Sequence, residues 1–107
     1  MIIIMSVLVE YSMFPTDKGE SVSNYVSRII DFINKSGYSY KLTPMGTIFE
    51  TSTIEEALEV IKQSYLILEP DCNRIYSSVT FDIRKNKENC LEQKIKSIED
   101  KIGNVRK

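Results

Sequence analysis

A chain of 107 residues is large enough for one hydrophobic core and leaves no room for a separate catalytic module, so a single domain over 1–107 is expected. Fourteen Lys and Arg against fifteen Asp and Glu give a net charge of −1, without the broad basic field on which nucleic-acid binders depend. The absence of His excludes Ser-His and Cys-His catalysis and removes the commonest transition-metal ligand, so neither a metal nor a cofactor is expected.

The opening Met1 to Met5 is apolar, but it has no basic flank or small-residue cleavage site, and Glu10 soon interrupts it. A signal peptide or membrane span therefore fits poorly, and a cytoplasmic protein is expected. From Ile2 to Ser12 alternation puts Ile3, Met5, Val7, Val9 and Tyr11 on a core face and Ile4, Ser6, Leu8, Glu10 and Ser12 on the other. Phe14 to Glu20 reads as a loop by its Pro15 and Gly19, with Ser21 as the N-cap of a helix from about Val22 to Lys35. Val22, Tyr25, Val26, Ile29, Ile30 and Ile33 give that helix its apolar stripe, and Ser36-Gly37 its stop.

Two strands follow, Tyr38 to Leu42 and Met45 to Glu50, joined as a hairpin at Thr43-Pro44-Met45-Gly46. Pro44 fixes φ and removes a donor, while Gly46 permits a backbone shape other residues resist. Small side chains and bare backbone at such a junction let a ligand approach closely. Thr51-Ser52-Thr53 offers caps for a second helix, with Glu55 and Glu56 at its positive end and a stripe of Ile54, Ala57, Leu58, Ile61, Tyr65 and Leu68 ending before Pro70. Arg74 to Arg84 alternates as a fourth strand. Cys90 to about Val105 forms a last helix with a thin stripe of Leu91, Ile95, Ile98 and Ile102. Cys72 and Cys90 match no metal or redox spacing and read as two free thiols.

The order β-α-β-β-α-β plus a C-terminal helix points to an α+β class, ferredoxin-like sandwich: a four-stranded antiparallel sheet with two helices on one face. Its other face would carry Ser6, Glu10 and Ser12 beside Tyr76, Ser78, Thr80, Asp82 and Arg84. Acids, hydroxyls and an aromatic there suit a cationic or hydrogen-bonding heterocycle, a solvated surface or an oligomer contact. The uncovered sheet and the thin last stripe make a homodimer or homotetramer the natural expectation. Fold alone does not decide function: the loop Arg of an acylphosphatase, the C-x-x-C of a metallochaperone and the basic-flanked aromatics of an RNA-recognition domain are all missing.

Several pieces taken together resemble the small thiamine-binding protein family (YkoF-like). They are Glu10-Tyr11-Ser12 with Pro15, Ser21-Val22-Ser23-Asn24-Tyr25-Val26, the run Ser36 to Thr47 containing Pro44-Met45-Gly46-Thr47, then Glu50 and Asp82-Ile83-Arg84. The resemblance implies non-enzymatic binding of thiamine or its hydroxymethylpyrimidine part by an oligomer. It assigns Ser12, Ser21, Ser23 and Thr47 as hydrogen-bonding groups, Glu10 or Glu50 as the negative charge, and Tyr11 or Met45 as a wall. Alternation, by contrast, places Tyr11 in the core. The chain departs from the family pattern in carrying Tyr65 where many members have a His, and Phe81-Asp82-Ile83-Arg84-Lys85 in place of a more acidic run. An oligomeric protein-interaction module with a vestigial pocket is the alternative reading, and an enzyme of thiamine salvage a third.

Overall fold

The computed structural model describes residues 4–20 and 22–106. Seven elements follow in order: β1 (Met5–Pro15), α1 (Ser23–Ser36), β2 (Ser39–Thr43), β3 (Gly46–Thr51), α2 (Ile54–Leu68), β4 (Ile75–Lys85) and α3 (Cys90–Ile102). The four strands make one sheet in the order β2-β3-β1-β4, with every neighbouring pair antiparallel. This is the split βαβ arrangement expected from the sequence, α+β in class. None of the described helices is long and apolar enough to cross a membrane.

Alternation along β1 works as expected at its centre. Val7, Val9, Tyr11 and Met13 are buried beneath α1 and α2, together with Phe49 of β3, Ile29 and Ile33 of α1, and Ala57, Val60 and Leu68 of α2. Tyr11 and Phe49 meet edge to face, with ring centroids 5.5 Å apart, a favoured arrangement of aromatic quadrupoles. Gly37 ends α1 in the left-handed region at φ 86°, where a Cβ would be strained. Thr53 caps α2 by accepting from Glu56 N at 3.1 Å, and its hydroxyl donates to the Glu56 carboxylate at 3.0 Å.

Four expectations need correction or restatement. β1 does not stop at Ser12: Met13, Phe14 and Pro15 pair with Ser77, Tyr76 and Ile75 of β4, and the missing N–H of Pro15 is tolerated at a strand end. The stripe of α2 is rotated, because Val60 and Ser64 are buried while Leu58 and Tyr65 are exposed. Helix α1 begins at Ser23 with Val22 as its N-terminal flank, whose carbonyl accepts from Val26 N at 2.9 Å; the cap assigned to Ser21 lies outside the described residues. Gly46, finally, does not adopt a left-handed backbone. A Cβ built there would lie 2.9 Å from the Tyr11 carbonyl oxygen, so the glycine is required by close approach of two strands.

The second sheet face is partly covered. Helix α3 packs against β1 and β3 and buries Leu91, while Ile98 and Ile102 further along remain exposed. Its docking depends on Glu50, whose carboxylate accepts from Cys90 N at 2.8 Å, from Leu91 N at 3.3 Å and from the buried Ser6 hydroxyl. Asn89, the N-terminal flank of α3, has a left-handed backbone and makes no side-chain cap, so Glu50 supplies that cap from the sheet. Cys72 and Cys90 are free and buried.

Candidate functional site

The hairpin of β2 and β3 turns over two residues, Pro44 and Met45, with Thr43 paired to Gly46. Pro44 suits the first central position of such a turn through its fixed φ. The Thr43 hydroxyl closes the turn by donating to the Gly46 carbonyl at 2.8 Å and accepting from Met45 N at 3.2 Å and Gly46 N at 3.1 Å. Its hydrogen-bonding capacity is thereby spent on structure.

Pairing of β3 with β1 runs only to Thr47 opposite Tyr11, whereas β1 continues to Pro15 against β4. The hairpin tip therefore stands clear of the far end of β1, and α1 crosses above. Between them lies a cavity of about 300 Å³. Its walls are Tyr11, Ser12, Met13 and Phe14 from β1, Val26, Ile29 and Ile30 from α1, and Leu42 to Thr47 from the hairpin. The longer β1 is what creates the floor, and the close passage of Gly46 over Tyr11 sets its edge.

Four of the eight residues singled out from the sequence meet here. Tyr11 is both core and wall: its ring lines the cavity while its hydroxyl donates to Ser64 at 2.9 Å, Ser64 donating in turn to the Val60 carbonyl at 2.8 Å. Burial pushes the Tyr11 phenol up to about 12, so the ring stays neutral. Thr47 is 6% exposed, and its hydroxyl has no partner among the described residues; the half-buried Ser12 hydroxyl likewise has none. Met45 stands at the mouth, 87% exposed.

The other described candidates lie elsewhere. Ser23 starts α1 and lines a shallower groove that adjoins the cavity across Val26, Ile30 and Leu42. Ser21 is outside the described residues. Glu10 is exposed on the opposite sheet face, between Ile48 of β3 and Thr80 of β4. Glu50, three residues after Thr47 on an extended strand, points to that same opposite face and is committed to α3. Asp82, also on that face, is held below the usual carboxylate range first by its hydrogen bond with Lys94 at 2.9 Å, with Arg84 a further attraction. No set of three His, Cys, Asp or Glu that could hold a metal occurs among the described residues.

Sequence reasoning missed Ser64, the partner of Tyr11, and the apolar walls given by Met13, Phe14 and Leu42. A polar residue four after Val60 and four before Leu68 is the signal that marks Ser64 as facing inward. Leu42 is read from the strand register, since it pairs with Thr47 and must share its face.

The fold and this cavity define a small ferredoxin-like domain with an open-mouthed, largely apolar recess at a hairpin tip. A family model described as "Thiamine-binding protein" matches residues 9–99, and the chain belongs to that family. It is similar to a UPF0045 protein of Methanocaldococcus jannaschii, 37% identical over 98 residues that cover 92% of this chain and 97% of the relative. The crystal structure of that archaeal protein superposes with a TM-score of 0.76 at 36% identity, covering 89% of this chain and 97% of the other. A Thermotoga maritima structure, provisionally assigned to thiamine biosynthesis or salvage, shares the fold with a TM-score of 0.70 at 23% identity, over 87% of this chain and 98% of that one.

Proposed function

We propose that this chain binds thiamine or a hydroxymethylpyrimidine precursor without catalysis, as a cytoplasmic carrier, buffer or sensor. The observation that carries the reading is the cavity at the hairpin tip, where apolar walls surround the unspent Thr47 hydroxyl. Recesses of this kind hold flat heterocycles by burying the ring and fixing its polar edge. Membership of the thiamine-binding protein family supports the ligand class. Thr47 is assigned to a hydrogen bond, and Tyr11 and Met45 to the walls. No nucleic-acid or membrane partner is proposed.

Titration calorimetry with thiamine and with hydroxymethylpyrimidine tests the reading, and silence from both at millimolar ligand would sink it. Thr47→Val keeps the shape and deletes the hydroxyl. It should weaken binding by about five- to tenfold, the worth of one hydrogen bond, with stability changed by less than about 0.5 kcal/mol.

A second reading, an oligomeric interaction module, is favoured by one specific observation. α2 packs over β1 and β3, which leaves Phe81 and Ile83 of β4 exposed on the helix-covered face, with Leu58 and Tyr65 of α2 exposed as well. Apolar side chains presented along an edge strand suit burial against a second copy, as a homodimer or homotetramer. Light scattering at micromolar concentration should give more than the monomer mass, and Ile83→Lys should return the mass to that of one chain.

A further inference from the structure

We infer that Met45 is a site of reversible oxidation, and that a sulfoxide there loosens the hold of the hairpin-tip cavity on its ligand. This rests on the assignment of thiamine-class binding to the cavity and adds a means of regulating it. Of the described sulfur-bearing side chains, Met13, Cys72 and Cys90 are buried and Met5 is half-buried, whereas Met45 is 87% exposed. An oxidant in solution therefore reaches the Met45 sulfur first, because oxidation follows access.

Its placement makes that oxidation consequential. Met45 is the second of the two turn residues, and it lines the cavity together with Phe14, Ile30 and Leu42. The turn itself is closed by the Thr43 hydroxyl, so the fold does not need an apolar side chain at this tip. An unbranched thioether is apolar and adaptable enough to fold over a bound ring. With hydrogen peroxide, the sulfur lone pair attacks one peroxide oxygen, the S–O bond forms as the O–O bond breaks, and the other oxygen leaves as water after proton transfer. The sulfur is oxidised and the peroxide reduced. The sulfoxide is a strong acceptor, but Pro44 has no N–H, and those of Met45 and Gly46 already donate to Thr43. Its oxygen is left to water, and covering an apolar ring would strip that water without replacement. A sulfoxide reductase reverses the change, the oxygen leaving as water while a dithiol becomes a disulfide.

The full chain is treated with dilute hydrogen peroxide, mapped by peptide mass spectrometry, and titrated calorimetrically with thiamine and with hydroxymethylpyrimidine. Met45 should gain its oxygen well before Met5 and Met13, and affinity should fall about fivefold, the worth of a partial apolar contact. Sulfoxide reductases of both epimer classes, supplied with dithiothreitol, should restore it. The urea midpoint should not move, since so exposed a side chain contributes little to the folded state. Met45→Leu removes the sulfur, and peroxide should then leave that variant's affinity where it started. Oxidation of Met5 or Met13 as fast as Met45, equal affinity before and after oxidation at Met45, or a peroxide response that survives in Met45→Leu would each overturn the inference while leaving thiamine-class binding intact. A lowered urea midpoint accompanying the loss of affinity would overturn it too, by tracing the loss to unfolding. Silence from both ligands with the untreated chain would overturn the binding assignment and this inference together.

Discussion

Thr47 and Glu50 lie three residues apart on β3 and do opposite things. Thr47 faces the helices, nearly buried, with a hydroxyl that no described group of the fold engages. Glu50 faces the other way, with Ser6, Cys90 and Leu91 all donating to its carboxylate. A strand sends successive side chains to alternate faces, so an odd separation was bound to divide them. The polar group that carries the larger charge is the one the fold consumes, and the smaller hydroxyl is left unengaged by the described residues. Residue type alone would rank them the other way.

The sharpest way to break this comparison is Glu50→Ala. It leaves the buried Ser6 hydroxyl and two helix N–H groups without their acceptor, and should cost about 2–4 kcal/mol, read as a lower midpoint in urea. Ligand affinity of the folded variant should stay near that of the parent, because the cavity is on the other face. Gly46→Ala comes next. The added methyl meets the Tyr11 carbonyl at 2.9 Å, so strand spacing must give, costing about 1–3 kcal/mol and weakening ligand binding at the same time.

Tyr11 offers the smallest and most selective effect. Its phenol is pushed up to about 12 from the ordinary 10.0, so between these values the unfolded chain has lost a proton that the folded chain retains. Stability from this group is full below pH 10 and is lost as pH rises toward 12, by about 1 kcal/mol per pH unit. Tyr11→Phe should abolish that portion of the alkaline slope. At neutral pH it should cost only about 1 kcal/mol, since Ser64 keeps its bond to the Val60 carbonyl.

Much of the architecture was legible because local signals agreed with it. Gly37 and Thr53 mark helix ends by chemistry that acts within a turn, and the alternation from Val7 to Tyr11 is strict. The errors arose where the deciding contact was distant in sequence. Phe14 and Pro15 read as loop because Pro usually ends a strand, yet β4 supplies partners for both. The stripe of α2 could be drawn through Leu58 and Tyr65 or through Val60 and Ser64, since apolar residues stand side by side there; only packing over β1 and β3 chooses. At the candidate site, Ser12, Met45, Thr47 and Tyr11 are all among the residues lining the cavity at the hairpin tip. The carboxylates matched by the same route are not, because the helix that claims Glu50 lies forty residues further on.

The placement of β1 also bears on how the chain is made. It precedes the other three described strands in the chain, yet it occupies the interior of the sheet, with Met5 opposite Lys85 at one end and Pro15 opposite Ile75 at the other. Pairing with β3 satisfies one side early, but the second side has no partner until the last strand has been synthesised. During that interval one edge of this eleven-residue strand is open to other chains. Completion of β4 thus closes the most aggregation-prone surface of the nascent chain, and a truncation before Ile75 should convert a well-behaved domain into one that depends on chaperones.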